Sequence, residues 1–315
     1  MTPKLLIAVA LTLLLSFAAR AQESIVWMDT DNGPIVLRLD PVNAPITTQN
    51  FVDYVNAGFY DNMIFHRVVP NFVVQAGLVD GNGQVRQATG PTISSERDNG
   101  LDHVSGTIAM ALNGNPPDVN SGQAQFFINL VENADLNADF TVFGEVIYGR
   151  STLLRMNGIP SYTNQVPIRP TLIRRAVHSD GFPIMNLHTG SWYDPQNPRR
   201  GFVVEVANDV SSDQGPIVVV YWYDYLNGQQ LWATGSASFE YGASEVDIPL
   251  IRIEGGQFGP AFDPNAVVID DAWGTLNLKF FGCDQGRFRF STILGTDDYY
   301  LTRLTIPSQN SCLEQ

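Results

Sequence analysis

Charge is scarce in this chain of 315 residues, and positive charge scarcer still. Only 16% of residues are charged, and 18 Lys and Arg face 32 Asp and Glu, for a net charge of −14. Most of the acidic excess lies beyond residue 178. Such a body is a poor match for nucleic acid or an anionic membrane surface, and its acidity serves solubility. Cysteine is almost absent: Cys283 and Cys312 are the two present, which excludes a disulfide-dense scaffold. No CxxC, HExxH or nucleotide-binding glycine loop occurs, so redox, zinc and NTP chemistry lose their usual signatures. Beyond residue 21 no apolar run reaches the roughly 20 residues needed to cross a bilayer, and no membrane insertion is expected.

What is present describes a globular protein. Hydrophobic residues make up 44% of the chain, enough for sizeable cores, and the length suggests two domains. Residues 1–21 read as a secretory signal peptide. Lys4 gives the basic start, Leu5–Phe17 the apolar stretch and Ala19-Arg20-Ala21 the small-x-small cleavage site, so the mature chain is expected to begin at Gln22 in the periplasm or outside the cell. In that oxidising setting Cys283 and Cys312 either form one disulfide or remain two structural thiols.

Residues 22–178 read as one unit. Asp31-Asn32-Gly33-Pro34 signals a hairpin turn, and Pro45–Asn56 is a helix with Phe51, Val52 and Val55 on one face, capped by Thr47 or Asn43 and stopped at Gly58. Short strands follow at 64–69, 72–76, 106–111, 125–130 and 140–146, then a second helix over 150–157 and a closing strand over 171–177. Residues 179–189, rich in turn formers, read as a linker. In residues 190–315 no helical period appears, and about seven strands between Gly201 and Ile306 indicate a second all-β unit, a sandwich or a barrel. Its aromatics Trp192, Tyr193, Tyr221, Trp222, Tyr223, Tyr225 and Trp232 are either a stacking platform for a ligand or ordinary core and surface, with Tyr221 and Tyr223 on the face opposite Trp222.

The run Phe65-His66-Arg67-Val68-Val69-Pro70-Asn71-Phe72-Val73-Val74-Gln75-Ala76-Gly77 is the most informative part of the chain. With Ala44–Val52, Gly58-Phe59-Tyr60, Gly106–Ala111, Gln125–Asn129 and Val142–Val146 it resembles the cyclophilin family of peptidyl-prolyl isomerases, over about residues 24–178 and most closely the bacterial exported branch. The resemblance implies an all-β-dominated fold: a closed antiparallel eight-stranded barrel with two helices, ahead of the second all-β domain. It also implies cis/trans isomerisation of X-Pro bonds in unfolded or folding proteins, with no metal or cofactor, acting as a monomer. The segment from Trp192 to Trp232 resembles a β-rich module attached to exported bacterial proteins, which implies architecture alone.

The barrier to that reaction is the partial double-bond character of the amide, and no covalent bond breaks. The resemblance assigns Arg67 as the donor near the prolyl nitrogen, Gln75 as its buttress or a hold on the substrate backbone, and Phe72 as a wall of the proline pocket. Val73, Met110, Phe127, Leu136 and Phe140 are assigned to the same pocket and its rim, and Ala111 and Gln125 to the residue before proline. His66 reads as structural. Several positions depart from the family pattern. Asp135 stands where Trp or Phe is common, Phe140 where His or Tyr is usual, Val73 for Met and Ala76 for Gly, and Leu112–Ala124 is longer than usual. Loss of the tryptophan implies low cyclosporin sensitivity. These changes also leave an alternative: a proline-peptide binder with little turnover, targeted by the second domain.

Overall fold

The Asp31–Pro34 turn joins β1 (Ser24–Thr30) to β2 (Ile35–Leu39), paired antiparallel with Met28 opposite Ile35. Gly33 sits there at φ +116°, a left-handed region that costs glycine little. The structure, a computed structural model, describes residues 23–208, 215–256 and 259–305. Residues 1–21, expected to be a leader, and Cys312 lie outside the described residues.

Helix α1 (Pro45–Asn56) follows, and neither Thr47 nor Asn43 caps it through its side chain. Instead the carboxylate of Glu96, fifty residues away, accepts from the N–H groups of Ile46 and Thr47 and from the Thr47 hydroxyl at 2.7–3.0 Å. The helix buries Phe51 against Tyr60, Phe126 and Phe143, with ring centroids 5.1, 5.3 and 5.2 Å away.

The expected strand over 64–69 is divided into β3 (Met63–Ile64) and β4 (Arg67–Val69) by Phe65 and His66. Phe65 turns wholly into the core, its N–H held by the Thr171 carbonyl. Then come β5 (Val73–Ala76), β6 (Thr107–Met110), β7 (Phe126–Asn129), β8 (Val142–Tyr148), α2 (Arg150–Asn157) and β9 (Leu172–Ser179). The sheet order is β3-β9-β1-β2-β8-β6-β7-β5-β4. Its two outer strands are the halves of one interrupted segment, so the nine strands form a curled sheet in which the expected eight-stranded barrel is left without strand pairing between β3 and β4.

The second unit is a barrel, not a sandwich. Strands β10 (Gly190–Tyr193), β11 (Gly201–Asn208), β12 (Pro216–Leu226), β13 (Gln229–Ser238), β14 (Glu245–Gly255), β15 (Val267–Phe280), β16 (Gln285–Thr292) and β17 (Gly295–Arg303) meander in chain order, and β17 closes on β10. The interior is aromatic: Trp192, Phe202, Trp222, Trp273, Phe280 and Phe288 are buried, whereas Tyr223, Tyr225 and Trp232 are exposed on the outer wall.

Residues 179–189 are no loose linker. Phe182, Met185 and Leu187 are buried in one cluster with Ile25, Trp27 and Val36 of the first unit and Cys283 of the second. Trp27 stacks on Tyr241 at 5.8 Å, and the Arg175 guanidinium lies 3.7 Å from the centre of the same ring. Gly242 is required beside it, because a Cβ there would come within 2.4 Å of Val177.

Candidate active site

Register places the chemistry. Arg67 lies opposite Gln75, Gln75 opposite Phe127, Phe127 opposite Ala109 and Ala109 opposite Val142. Directly opposed residues share a face of a pleated sheet, so one row runs across β4, β5, β7, β6 and β8. Its polar end is Arg67 and Gln75; its apolar end begins at Phe127. The β4–β5 hairpin turns through Pro70 and Asn71, the latter at φ +57°, and delivers Phe72 beside the row.

Two glutamines hold the guanidinium, and a third holds one of them. Arg67 Nε donates to Gln165 Oε1 at 2.7 Å and Nη1 to Gln75 Oε1 at 3.2 Å, while Gln75 Nε2 donates to Gln125 Oε1 at 3.0 Å. The arginine is half-buried, and desolvation draws its pKa down from the ordinary guanidinium value. Among the described residues no carboxylate pairs with it and Nη2 keeps no hydrogen bond. The adjacent His66 is held neutral, its pKa drawn down to about 4 by desolvation and then by the Arg67 charge.

The apolar half is a cluster separate from the main core: Val73, Ala109, Ala111, Phe127 and Val142, with Phe72, Leu101, Leu136 and Phe140 packed on it. Phe140 meets Phe127 edge-on at 5.4 Å and 85°. Met110 is a correction. It belongs to the inner core, opposite Phe126, and the site-facing position on β6 is Ala109. Strand alternation gives the reason, since Ala109 and Ala111 occupy one face and Met110 the other. Ala111 lies at the groove, its N–H donating to the Gln125 carbonyl at 2.9 Å.

Beneath Phe127 lies a buried polar network that sequence reasoning missed. His103 stacks on that ring at 5.7 Å. Asn129 Nδ2 donates to His103 Nδ1 at 3.0 Å, which leaves His103 Nε2–H to donate to the Phe140 carbonyl at 3.2 Å. Burial lowers the His103 pKa below the ordinary imidazole value. Asn133 bridges Asn129 Oδ1 and the Phe72 carbonyl, tying the pocket's floor to its wall. Asp135 is exposed at the rim of an open cleft of about 500 Å³ lined also by Phe72, Glu132 and Leu136. The long Leu112–Ala124 loop contributes Ser121 and Gln123 to a smaller depression of about 190 Å³ that shares Ala111 and Gln125 with the groove. A larger cavity, about 560 Å³ and lined by the paired strands β2 and β8 with residues 40–42 and 100–104, shares only Leu101 and Val142 with the apolar cluster and does not include Arg67.

The family model for "Cyclophilin type peptidyl-prolyl cis-trans isomerase/CLD" matches residues 25–178. Peptidyl-prolyl cis-trans isomerase A of Dickeya dadantii is 38% identical over 191 residues, covering 56% of this chain and 97% of that protein. The chain belongs to the cyclophilin family. The peptidyl-prolyl cis-trans isomerase of Acinetobacter baylyi is 38% identical over 176 residues, 53% of this chain and 92% of that protein. Peptidyl-prolyl cis-trans isomerase B of Escherichia coli is 39% identical over 142 residues, 42% of this chain and 84% of that protein. The first unit is thus a cyclophilin-type peptidyl-prolyl cis-trans isomerase. The match to the family model ends at His178, so the eight-stranded barrel of this cyclophilin lies outside it.

Proposed function

We propose that this isomerase acts on X-Pro bonds of exported proteins and that Arg67 lowers the barrier by hydrogen-bonding the amide near the prolyl nitrogen. Twisting the X-Pro bond returns the nitrogen lone pair to nitrogen, and a donor there stabilises the twisted state more than either planar ground state. A guanidinium suits the task because it stays charged and presents rigid donors without reorganising at the moment of reaction. The observation that carries this reading is the Arg67 guanidinium itself, held by two neutral amides, paired with no carboxylate among the described residues, and placed in the same cross-strand row as Phe127 of the apolar cluster. Phe72, Phe127, Leu136 and Phe140 would grip that ring, while Gln125 and the backbone at Ala111 would meet the residue before it.

The exported-client part rests on the leader-like residues 1–21 and carries with it a periplasmic or secreted location. NMR exchange of an Ala-Pro peptide tests the mechanism. Wild type should accelerate cis/trans exchange, and Arg67→Ala should lose on the order of 10²–10³ of that rate, as expected for a donor used in the transition state. Equal acceleration by both proteins would remove Arg67 from the mechanism.

A further inference from the structure

We propose that Gln165 is a positioning residue for Arg67, presented by a loop that serves as the missing partner of an edge strand. This rests on the reading of Arg67 as the donor. β4 is the last strand of the sheet, bonded to β5 on one side alone. Its other side is covered by residues 158–170, which fold back on themselves: Tyr162 N–H donates to Val166 O, Gln165 N–H to Tyr162 O, and Ile168 N–H to Pro160 O, all at 2.8–2.9 Å. This small hairpin is clipped to β4 at both polar groups of Val68, the neighbour of Arg67. Val68 N–H donates to Gln165 O at 3.0 Å, and the Ser161 hydroxyl donates to Val68 O at 3.1 Å.

The clip fixes where the Gln165 side chain starts, and an unusual backbone fixes where it goes. Gln165 has φ +67°, a left-handed conformation uncommon for any residue but glycine. From there Oε1 reaches Arg67 Nε, and the side chain makes no other hydrogen bond among the described residues. The residue is exposed, so its amide contributes nothing to a core. With Gln75 on Nη1 and Gln165 on Nε, two elements grip two nitrogens of one planar group and set the direction of Nη2. Both partners are neutral. A glutamate here would bond Nε as well but would set a negative charge against the charge the reaction uses.

The test uses the full chain with Gln165→Gly, because glycine keeps the left-handed backbone and the Val68 clip while removing the amide. Peptide exchange at saturation should slow about tenfold, since losing one of two anchors leaves the donor loosely aimed. Peptide Kd should stay within twofold, and hydrogen exchange at Arg67 Nε–H should quicken at least tenfold. Arg67→Ala is run alongside. If it retains the full rate, the Arg67 reading itself fails; if it loses rate while Gln165→Gly does not, only the present proposal fails. A slower Gln165→Gly whose Arg67 Nε–H exchange is unchanged also overturns it. Should Val68 amide protection be lost in the glycine variant, Gln165→Asn decides, because asparagine tolerates this backbone but is one methylene too short. A slowed rate then supports the role and a wild-type rate overturns it.

Discussion

At the scale of single residues, burial draws the pKa of both histidines at the groove, His66 and His103, below the ordinary value. Arg67 remains cationic although desolvation lowers its pKa, His66 is drawn down to about 4, and Phe140 cannot titrate. Turnover is therefore expected to be level between about pH 6 and 8. A sigmoid centred near 6.5 in NMR exchange rates would show that an unassigned histidine takes part. Stability should behave differently. His66 and His188 are neutral in the fold, with pKa values lowered to about 4 and about 3, mainly by burial, whereas in the unfolded chain they titrate near 6.5. Below about 6.5 the unfolded state binds more protons, so the stability present above that pH is lost as pH falls toward those folded values. Melting temperature followed from pH 7 to 4.5 should decline across that window, and a level profile would contradict the burial of these rings.

At the scale of elements, positions are set by contacts from far along the chain. Helix α1 is capped by Glu96 and not by its own first residues, so Glu96→Ala should cost about 1 kcal/mol, in the range of a lost N-cap. Urea unfolding measures it, and a loss below about 0.3 kcal/mol would mean water replaces the cap without penalty. The same distinction explains what could be read in the sequence. The Asn32-Gly33 turn, the α1 face bearing Phe51 and the short strands were legible because each is a local pattern. So was the proximity of Arg67, Phe72 and Gln75, eight residues apart at most on one hairpin. Met110 was misplaced because an apolar strand residue carries no mark of its face until the register with Phe126 is known. Gln165, His103, Asn129 and the Glu96 cap were not legible, since each acts across a large sequence separation through a hydrogen bond that no spacing announces. The division at Phe65 and His66, and the four-residue β10 that closes the second barrel, were likewise hidden by their shortness.

At the scale of the whole molecule, the isomerase row and the second barrel occupy different parts of the curled sheet. β4, β5, β7, β6 and the start of β8 at Val142 carry the row, while β1, β2, β9 and the far end of β8 at Ile147 and Tyr148 carry the surface that packs with Phe182, Leu187 and Tyr241. A chain ending at Asp180 should keep its turnover within about twofold. It should melt at a lower temperature than the isomerase unit of the full chain, because Ile25, Trp27 and Val36 become exposed. Lost turnover would place the second barrel within the catalytic unit, and an unchanged melting temperature would make the packed junction energetically idle. The central claim, that an oriented guanidinium and not mere positive charge speeds the rotation, is tested most directly by Arg67→Lys, with turnover and peptide affinity measured on the same samples. Lysine keeps the charge but cannot be gripped by Gln75 and Gln165 and still present a donor along a fixed direction. The account predicts at least a tenfold fall in saturated exchange rate with Kd changed less than threefold; wild-type turnover in Arg67→Lys would contradict it.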